Sequence, residues 1–347
     1  MKPRKAEIYK FSHKNSFKVV PVELPELSPG QVKVKVHYAG INFADVLARR
    51  GYYKWAKKLP LVPGFECSGV ISEVTEGSSF RLGEPVMAAV RFGGYSEEII
   101  AEEQRVFRMP GNLDFKEACS IPAVYLTAYQ AVHSVMRIRE ADELLINAAA
   151  GGLGLAVIQL ALAAGAKPTG LVSSLEKKEF LSDMYNIPAF TYDEFQAIRT
   201  NSAQGQQYKF LLDSFGGRQM KAWMSFLKES GLCVTLGGAN FVPPTSLSVS
   251  AWIDWLRKGW ELVSSRNIDS FQLIEKNRGI AGVQLLLLWD QIEHLRTMMN
   301  QILDLVESNK LKPYLGEIFD FENVYQAHQF MESRRSKGKL LLKTQYA

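Results

Sequence analysis

Six residues, Ala149-Ala150-Gly151-Gly152-Leu153-Gly154, separate an apolar run, Leu144 to Ala148, from a helical stretch that reaches Ala164. Small residues between a strand and a helix let the backbone turn tightly and approach a pyrophosphate, which then rests on the helix N-terminal N–H groups. A glycine cluster alone is equally a tight structural turn. The strand–turn–helix setting favours dinucleotide binding, although Ala149 stands where the generic fingerprint begins with glycine. Units that bind NAD place an acid about twenty residues on, at the end of the second strand, to hold the ribose 2′-OH. Here that strand end reads Gly170-Leu171-Val172-Ser173-Ser174, without an acid, and Lys177 and Lys178 follow. Hydroxyls and a lysine suit a 2′-phosphate and hence NADPH. Two plainer readings stay open: Ser173 and Glu176 have capping-box spacing, and Lys177 can be a solvated helix charge.

Metal and disulfide chemistry find little support. Cys67, Cys119 and Cys233 lie far apart, and the five histidines (13, 37, 133, 294, 328) lack ligand spacing. Dispersed cysteines point to a reducing, cytoplasmic setting. The N-terminal segment, Met1 to Val20, is polar and basic, without the apolar core of a secretory signal. A formal net charge of +5, spread over both signs with no basic block, argues against nucleic acid as a partner. Tyr52, after Gly51, is a candidate hydrogen-bond donor to a substrate oxygen, or an ordinary packing tyrosine. The loop Tyr52 to Lys58 is basic and aromatic, which hints at an aromatic or anionic acceptor.

These residues need two kinds of scaffold. With 347 residues, 47% hydrophobic and 22% charged, the chain is long enough for two globular domains. The first 120 residues read as short β-segments between Gly/Pro turns, with Gln31 to Tyr38 alternating as a half-buried strand. From Pro122, short apolar runs alternate with helical segments (Leu144–Ala148, Pro168–Ser173, Phe210–Ser214, Leu232–Leu236), implying a doubly wound parallel sheet. Leu144 to Ala166 is uncharged and long enough for a membrane span. The glycines split it, so it reads as strand, turn and helix. Ile292 to Val306 has helical spacing. After Pro313 a strand-like Tyr314–Phe319, an amphipathic Phe321–Met331 and a final strand Lys339–Leu342 return to β-rich character. Trp252, Trp255 and Trp260, and the apolar run Leu285 to Trp289, read as dimer interface or active-site cover in preference to a peripheral membrane contact. An edge strand near Ile280 to Leu286 would carry a homodimer.

Five ordered motifs carry a family resemblance: Gly40-Ile41-Asn42-Phe43-Ala44-Asp45, Pro63-Gly64-Phe65-Glu66-Cys67-Ser68-Gly69, Leu126-Thr127-Ala128-Tyr129, Ala148 to Gly154, and Gly338-Lys339-Leu340-Leu341. Together they resemble the medium-chain dehydrogenase/reductase superfamily, in its zinc-free quinone oxidoreductase (zeta-crystallin-like) group, nearest the vesicle amine transport protein homologues. The resemblance implies an α/β fold in which a GroES-like β-rich catalytic domain (1–121 and 304–347) is interrupted by a Rossmann NADPH-binding domain (122–303). Asn42 and Phe65 stand where zinc enzymes of the superfamily have ligands, and the third ligand falls around Pro122-Ala123. The resemblance therefore implies hydride transfer from NADPH to a quinone or α,β-unsaturated carbonyl without zinc. It places Asn42 and Asp45 beside the nicotinamide and its ribose, and Thr127 near the carboxamide. Ala150, Gly151, Gly152, Leu153, Gly154 and Gly237 line the cofactor. Lys177, Tyr192 and Arg334 match positions that hold the 2′-phosphate, with Ser174 facing it. Two alternatives remain: an enoyl-thioester reductase, and a non-catalytic lipid-binding or vesicle-associated protein that keeps the reductase fold.

Overall fold

The computed structural model describes residues 2–200, 207–237 and 270–347. They form two compact units: Met1–Thr127 with Gly151–Ala156 and Leu285–Ala347, and Ala128–Ala150 with Val157–Gln284. Trp252, Trp255 and Trp260 lie outside the described residues.

The first unit begins with antiparallel β1 (Arg4–Ile8) and β2 (Phe17–Pro21), followed by β3 (Gln31–Ile41), β4 (Glu66–Val74), β5 (Pro85–Ala89), β6 (Glu98–Glu102) and β7 (Val106–Arg108). The alternation read in β3 is realised: Val32, Val34 and Val36 are fully buried, and Lys33 and Lys35 face the other side. The three valines pack on Cys67, Ile71, Val86, Ala88, Ile99 and Ala101. Burying each valine contributes roughly 1.5–3 kcal/mol, so this face fixes the strand register.

The second unit is the parallel sheet. It contains β8 (Glu143–Ile146), β9 (Lys167–Val172), β10 (Ala189–Thr191), β11 (Tyr208–Asp213), β12 (Leu227–Thr235) and β13 (Gly279–Gly282). The spatial order is β10-β9-β8-β11-β12-β13, and every pairing is parallel. Strand order reverses between β8 and β11, the switch point at which doubly wound sheets bind ligands. The stretch Leu144 to Ala166 is indeed divided: β8 ends at Ile146 and a helix runs from Gly152 to Ala163. Among the described residues no helix is long and apolar enough to cross a membrane.

The chain then returns to the first unit. β14 (Leu315–Asp320) pairs parallel with β15 (Lys339–Lys343), which lies antiparallel to β3, with Leu341 opposite Gly40. The sheet order is β14-β15-β3-β4-β5-β7, with β6 also on β3. The fold is the expected one: a GroES-like sheet interrupted by a Rossmann-like parallel sheet. One local expectation is corrected. The edge strand ends at Gly282 and does not run on to Leu286; Leu285–Leu288 is a 3-10 turn with Leu286 buried. Trp289 after it lies under the Arg105 guanidinium, 4.5 Å from ring centre to charge.

Candidate active site

In the first unit, Asn42 caps the helix Phe43–Arg49 at the end of β3. Its N–H donates to Asp45 Oδ2 at 2.8 Å, and the Gly64 N–H donates to Asp45 Oδ1 at 2.8 Å. One carboxyl thereby ties the Asn42 turn to the Pro63-Gly64-Phe65 loop. Asp45 is fully buried, and burial pushes its pKa up to about 7 despite the two N–H donors. The buried Tyr95 hydroxyl lies 3.1 Å from His328 Nε2. Each oxygen of the Asp45 carboxyl thus accepts a backbone N–H, one of them that of Asn42.

The Asn42 amide is held on both sides. Its Nδ2 donates to Glu66 Oε1 at 2.9 Å, and its Oδ1 accepts from Lys339 Nζ at 2.7 Å. Lys339 also forms an ion pair with Glu66, and the Ala123 N–H, in the first turn of the helix Pro122–Tyr129, donates to Glu66 Oε2 at 2.7 Å. The two charged side chains are 4% and 0% exposed, so each depends on the other for compensation. Gly40 makes this possible: a Cβ there would lie 2.5 Å from Glu66 Cγ, across the path of the side chain. The cluster is a desolvated carboxylate and ammonium with one amide fixed between them. Such a set orients a hydrogen-bonding group without reorganisation. Glu66 and Lys339 were not among the residues singled out from the sequence. The available signal was that Glu66 is the one acid between Asp45 and Glu73.

Phe65 contributes to an aromatic wall with Tyr53 and Phe92, at ring-centre distances of 5.7 Å (Tyr53–Phe65), 5.3 Å (Phe65–Phe92) and 6.4 Å (Tyr53–Phe92). Tyr52 is not part of it: it is 53% exposed, with the Arg50 guanidinium 5.8 Å from its ring. Thr127 donates its hydroxyl to Ala123 O at 2.7 Å, one turn back in its own helix.

The glycine turn meets the same cluster. Gly151 forms a parallel bridge with Gly338, and a Cβ on Gly152 would lie 3.4 Å from Lys339 Cα. The two motifs, far apart in sequence, pack together within the first unit. Ala150 is buried, Gly154 is buried, and Leu153 is half-buried. Arg334 is exposed just beyond the helix Val324–Glu332, with a left-handed backbone at φ 57°.

In the second unit, Ala148 precedes the turn with φ 50° and donates its N–H to the Tyr192 hydroxyl at 3.1 Å. Tyr192 stacks on Trp223 at 5.8 Å. This brings Tyr192 to the start of the fingerprint. At the switch point, Asn147 Nδ2 donates to Asp213 Oδ1 at 2.7 Å, and Asp213 also accepts from Gly216 N–H and the Thr235 hydroxyl. Gly237 is exposed beyond β12. β9 ends at Val172, and Ser174 rather than Ser173 caps the following helix, its Oγ accepting from Lys177 N–H at 3.4 Å. The capping spacing read from Ser173 is off by one residue, because the two serines are adjacent and only the second has the capping geometry. Lys178 pairs with Glu194 at 2.7 Å, while Lys177 sits at the third helical position. Among the described residues, no group of three His, Cys, Asp or Glu side chains could hold a metal ion.

Comparison with known proteins agrees with this architecture. Residues 28–126 match the family model of the alcohol dehydrogenase GroES-like domain, and residues 188–342 match the model described as zinc-binding dehydrogenase. The chain is 31% identical over 326 residues to the synaptic vesicle membrane protein VAT-1 homolog of Rattus norvegicus, covering 93% of this chain and 79% of that one. It is 30% identical over 325 residues to the Danio rerio VAT-1 homolog, covering 92% of this chain and 66% of the relative's length. It is 28% identical over 326 residues to quinone oxidoreductase-like protein 2 of Mus musculus, covering 91% of this chain and 85% of that one. The crystal structure of the human VAT-1 homolog-like protein superposes with a TM-score of 0.82 at 27% identity, covering 100% and 99% of the two chains.

Proposed function

The chain belongs to the medium-chain dehydrogenase/reductase superfamily, beside the VAT-1 homologues, and from that premise we propose that this oxidoreductase reduces a quinone or α,β-unsaturated carbonyl with NADPH and without zinc. The observation that carries the reading is the Asn42–Glu66–Lys339 cluster packed against the Gly151-Gly152 turn. The Asn42 amide oxygen holds an ammonium, and Phe65 presents a ring to Tyr53 and Phe92. That donor set does not fit a zinc ion.

The residues present do fit a phosphorylated dinucleotide. The glycine turn opens onto the N-terminus of the Gly152–Ala163 helix; β9 runs out into Ser173 and Ser174 without an acid, and the next helix carries Lys177 after Glu176 in its first turn. Ser174, Lys177, Tyr192 and Arg334 would hold the 2′-phosphate. Ala150, Gly151, Gly152, Leu153, Gly154 and Gly237 would face the dinucleotide, and Thr127 its carboxamide. NADPH, when bound, supplies the hydride. A conjugated acceptor takes up charge through its own carbonyl system, so the protein's part is position and donors. Asn42, locked by Glu66 and Lys339 and braced by Asp45, offers a fixed amide. Lys339, its charge offset by Glu66, keeps the Asn42 amide oriented. Tyr52 is the candidate donor to the acceptor oxygen from the loop side.

A cytoplasmic homodimer joined through the β13 edge completes the proposal. Light scattering at micromolar concentration should give the mass of two chains, and the mass of one contradicts the dimer. The function itself is tested by NADPH oxidation with a panel of quinones and enones. Turnover with at least one class, and little with NADH, is expected. NADPH binding without turnover of any acceptor would instead favour a non-catalytic protein that keeps the fold.

A further inference from the structure

The aromatic wall beside Glu66 has an unusual electrostatic rim. Residues 46–65 and 85–96 contain six cations, Arg49, Arg50, Lys54, Lys57, Lys58 and Arg91, and no acid. Arg49 and Arg50 share one carboxylate, Glu332, at 2.6 Å and 3.3 Å. Lys54, Lys57, Lys58 and Arg91 are exposed and form no ion pair among the described residues. Two of them converge on one indole: Lys54 Nζ lies 5.6 Å and Arg91 Cζ 5.7 Å from the Trp55 ring centre. An arginine whose face rests on an aromatic ring keeps its N–H edge free for an anion.

The backbone holds this rim against the wall. Val90 N–H donates to Phe65 O at 2.9 Å, Gly93 N–H to Val62 O at 2.9 Å, and Tyr95 N–H to Pro63 O at 2.9 Å. The Arg91-Phe92 pair is therefore fixed alongside Phe65, and Phe65 is covalently next to Glu66 of the buried cluster. Like charges left unpaired on a short segment cost free energy through mutual repulsion, which an anionic ligand relieves. Phe65 is buried beneath Tyr53 and Phe92, whose half-buried rings are the ones a flat conjugated ligand can pack on. Aromatic rings and unpaired cations thus occupy adjacent parts of one loop pair.

Resting on the reductase reading above, we propose that the acceptor is a planar aromatic carbonyl compound bearing a negatively charged group, its ring against Tyr53 and Phe92 and its anion at Arg91 and Lys54.

The test separates binding from turnover. Calorimetric titration of naphthalene sulfonate, which cannot be reduced, and of neutral naphthol is compared in the unaltered chain, Arg91→Gln and Lys54→Gln. Each substitution should weaken sulfonate binding roughly three- to tenfold, as expected for a partly screened charge contact, and leave naphthol unchanged. In steady-state assays at saturating NADPH, kcat/KM for naphthoquinone sulfonate should fall in both variants and fall with added salt, whereas kcat/KM for naphthoquinone should hold. Comparing each variant with the unaltered chain cancels the electronic difference between the two quinones. Equal affinity for sulfonate and naphthol in the unaltered chain, or equal loss of both in the variants, overturns the anionic acceptor while NADPH-dependent quinone turnover leaves the reductase reading intact. Selective sulfonate loss with no turnover of any acceptor overturns the reductase reading and leaves the anion site standing.

Discussion

Lys339 Nζ lies 2.7 Å from Asn42 Oδ1, so the first residue of the last strand fixes the cap of the first helix across 297 positions of sequence. The same ammonium is the counter-charge of the buried Glu66. Lys339→Met keeps the length of the side chain and leaves Glu66 uncompensated. Breaking a buried pair from one side costs about 3–5 kcal/mol. Urea denaturation should show a loss of that order, and adding Glu66→Gln to Lys339→Met should restore part of it. An unchanged midpoint in Lys339→Met would mean the charges are not desolvated.

Asp45 makes stability depend on pH. Its folded pKa is raised by burial to about 7, against about 4 for a free aspartate. Between those values the folded chain binds the extra proton, so this contribution is fully present below about pH 4 and is lost as pH rises through about 7. Lys339 and Glu66 face the same carboxyl with opposite effects. Asp45→Asn should flatten the fall in stability across this window, measured by denaturation at stepped pH. A slope equal to that of the unaltered chain would place the titration elsewhere.

NADPH preference follows from the end of β9. A charge-assisted hydrogen bond contributes roughly 1.5–3 kcal/mol, and about 1.4 kcal/mol is a tenfold change. Lys177→Ala should therefore weaken NADPH binding roughly ten- to hundredfold and leave NADH binding unchanged. Fluorescence titration of both cofactors decides this. Equal losses would make Lys177 a surface charge, as the helical position alone allows.

Tyr52 and Tyr53 are adjacent but differ in surroundings, one exposed beside Arg50 and one within the aromatic wall. If Tyr52 donates to the acceptor oxygen, Tyr52→Phe lowers kcat several-fold and leaves NADPH affinity unchanged. An unaltered rate with several acceptors would reduce it to a solvent-facing ring.

The parts of the molecule that are local in sequence were legible there. Alternation placed the buried face of β3, and glycines between an apolar run and a helix placed the fingerprint turn. Asn42 and Asp45 were reached through their motif, but the partners that lock them were not. A lysine at the start of a strand reads as a solvated end; only the pairing of β15 with β3 shows that Lys339 is buried beside Glu66. Leu285 to Trp289 shows the opposite difficulty. A short apolar run does not distinguish a buried strand from a buried turn, and here it forms a 3-10 turn with Trp289 under Arg105.

The central claim is that hydride passes from NADPH to a conjugated carbonyl on this protein. The most direct measurement uses NADPH deuterated at the transferable carbon of its nicotinamide ring, with an enone acceptor and mass spectrometry of the product. The account predicts a saturated product carrying one deuterium on the carbon β to the carbonyl, formed in step with NADPH oxidation. Product without deuterium, or no product from any enone or quinone under conditions where NADPH is bound, would contradict it.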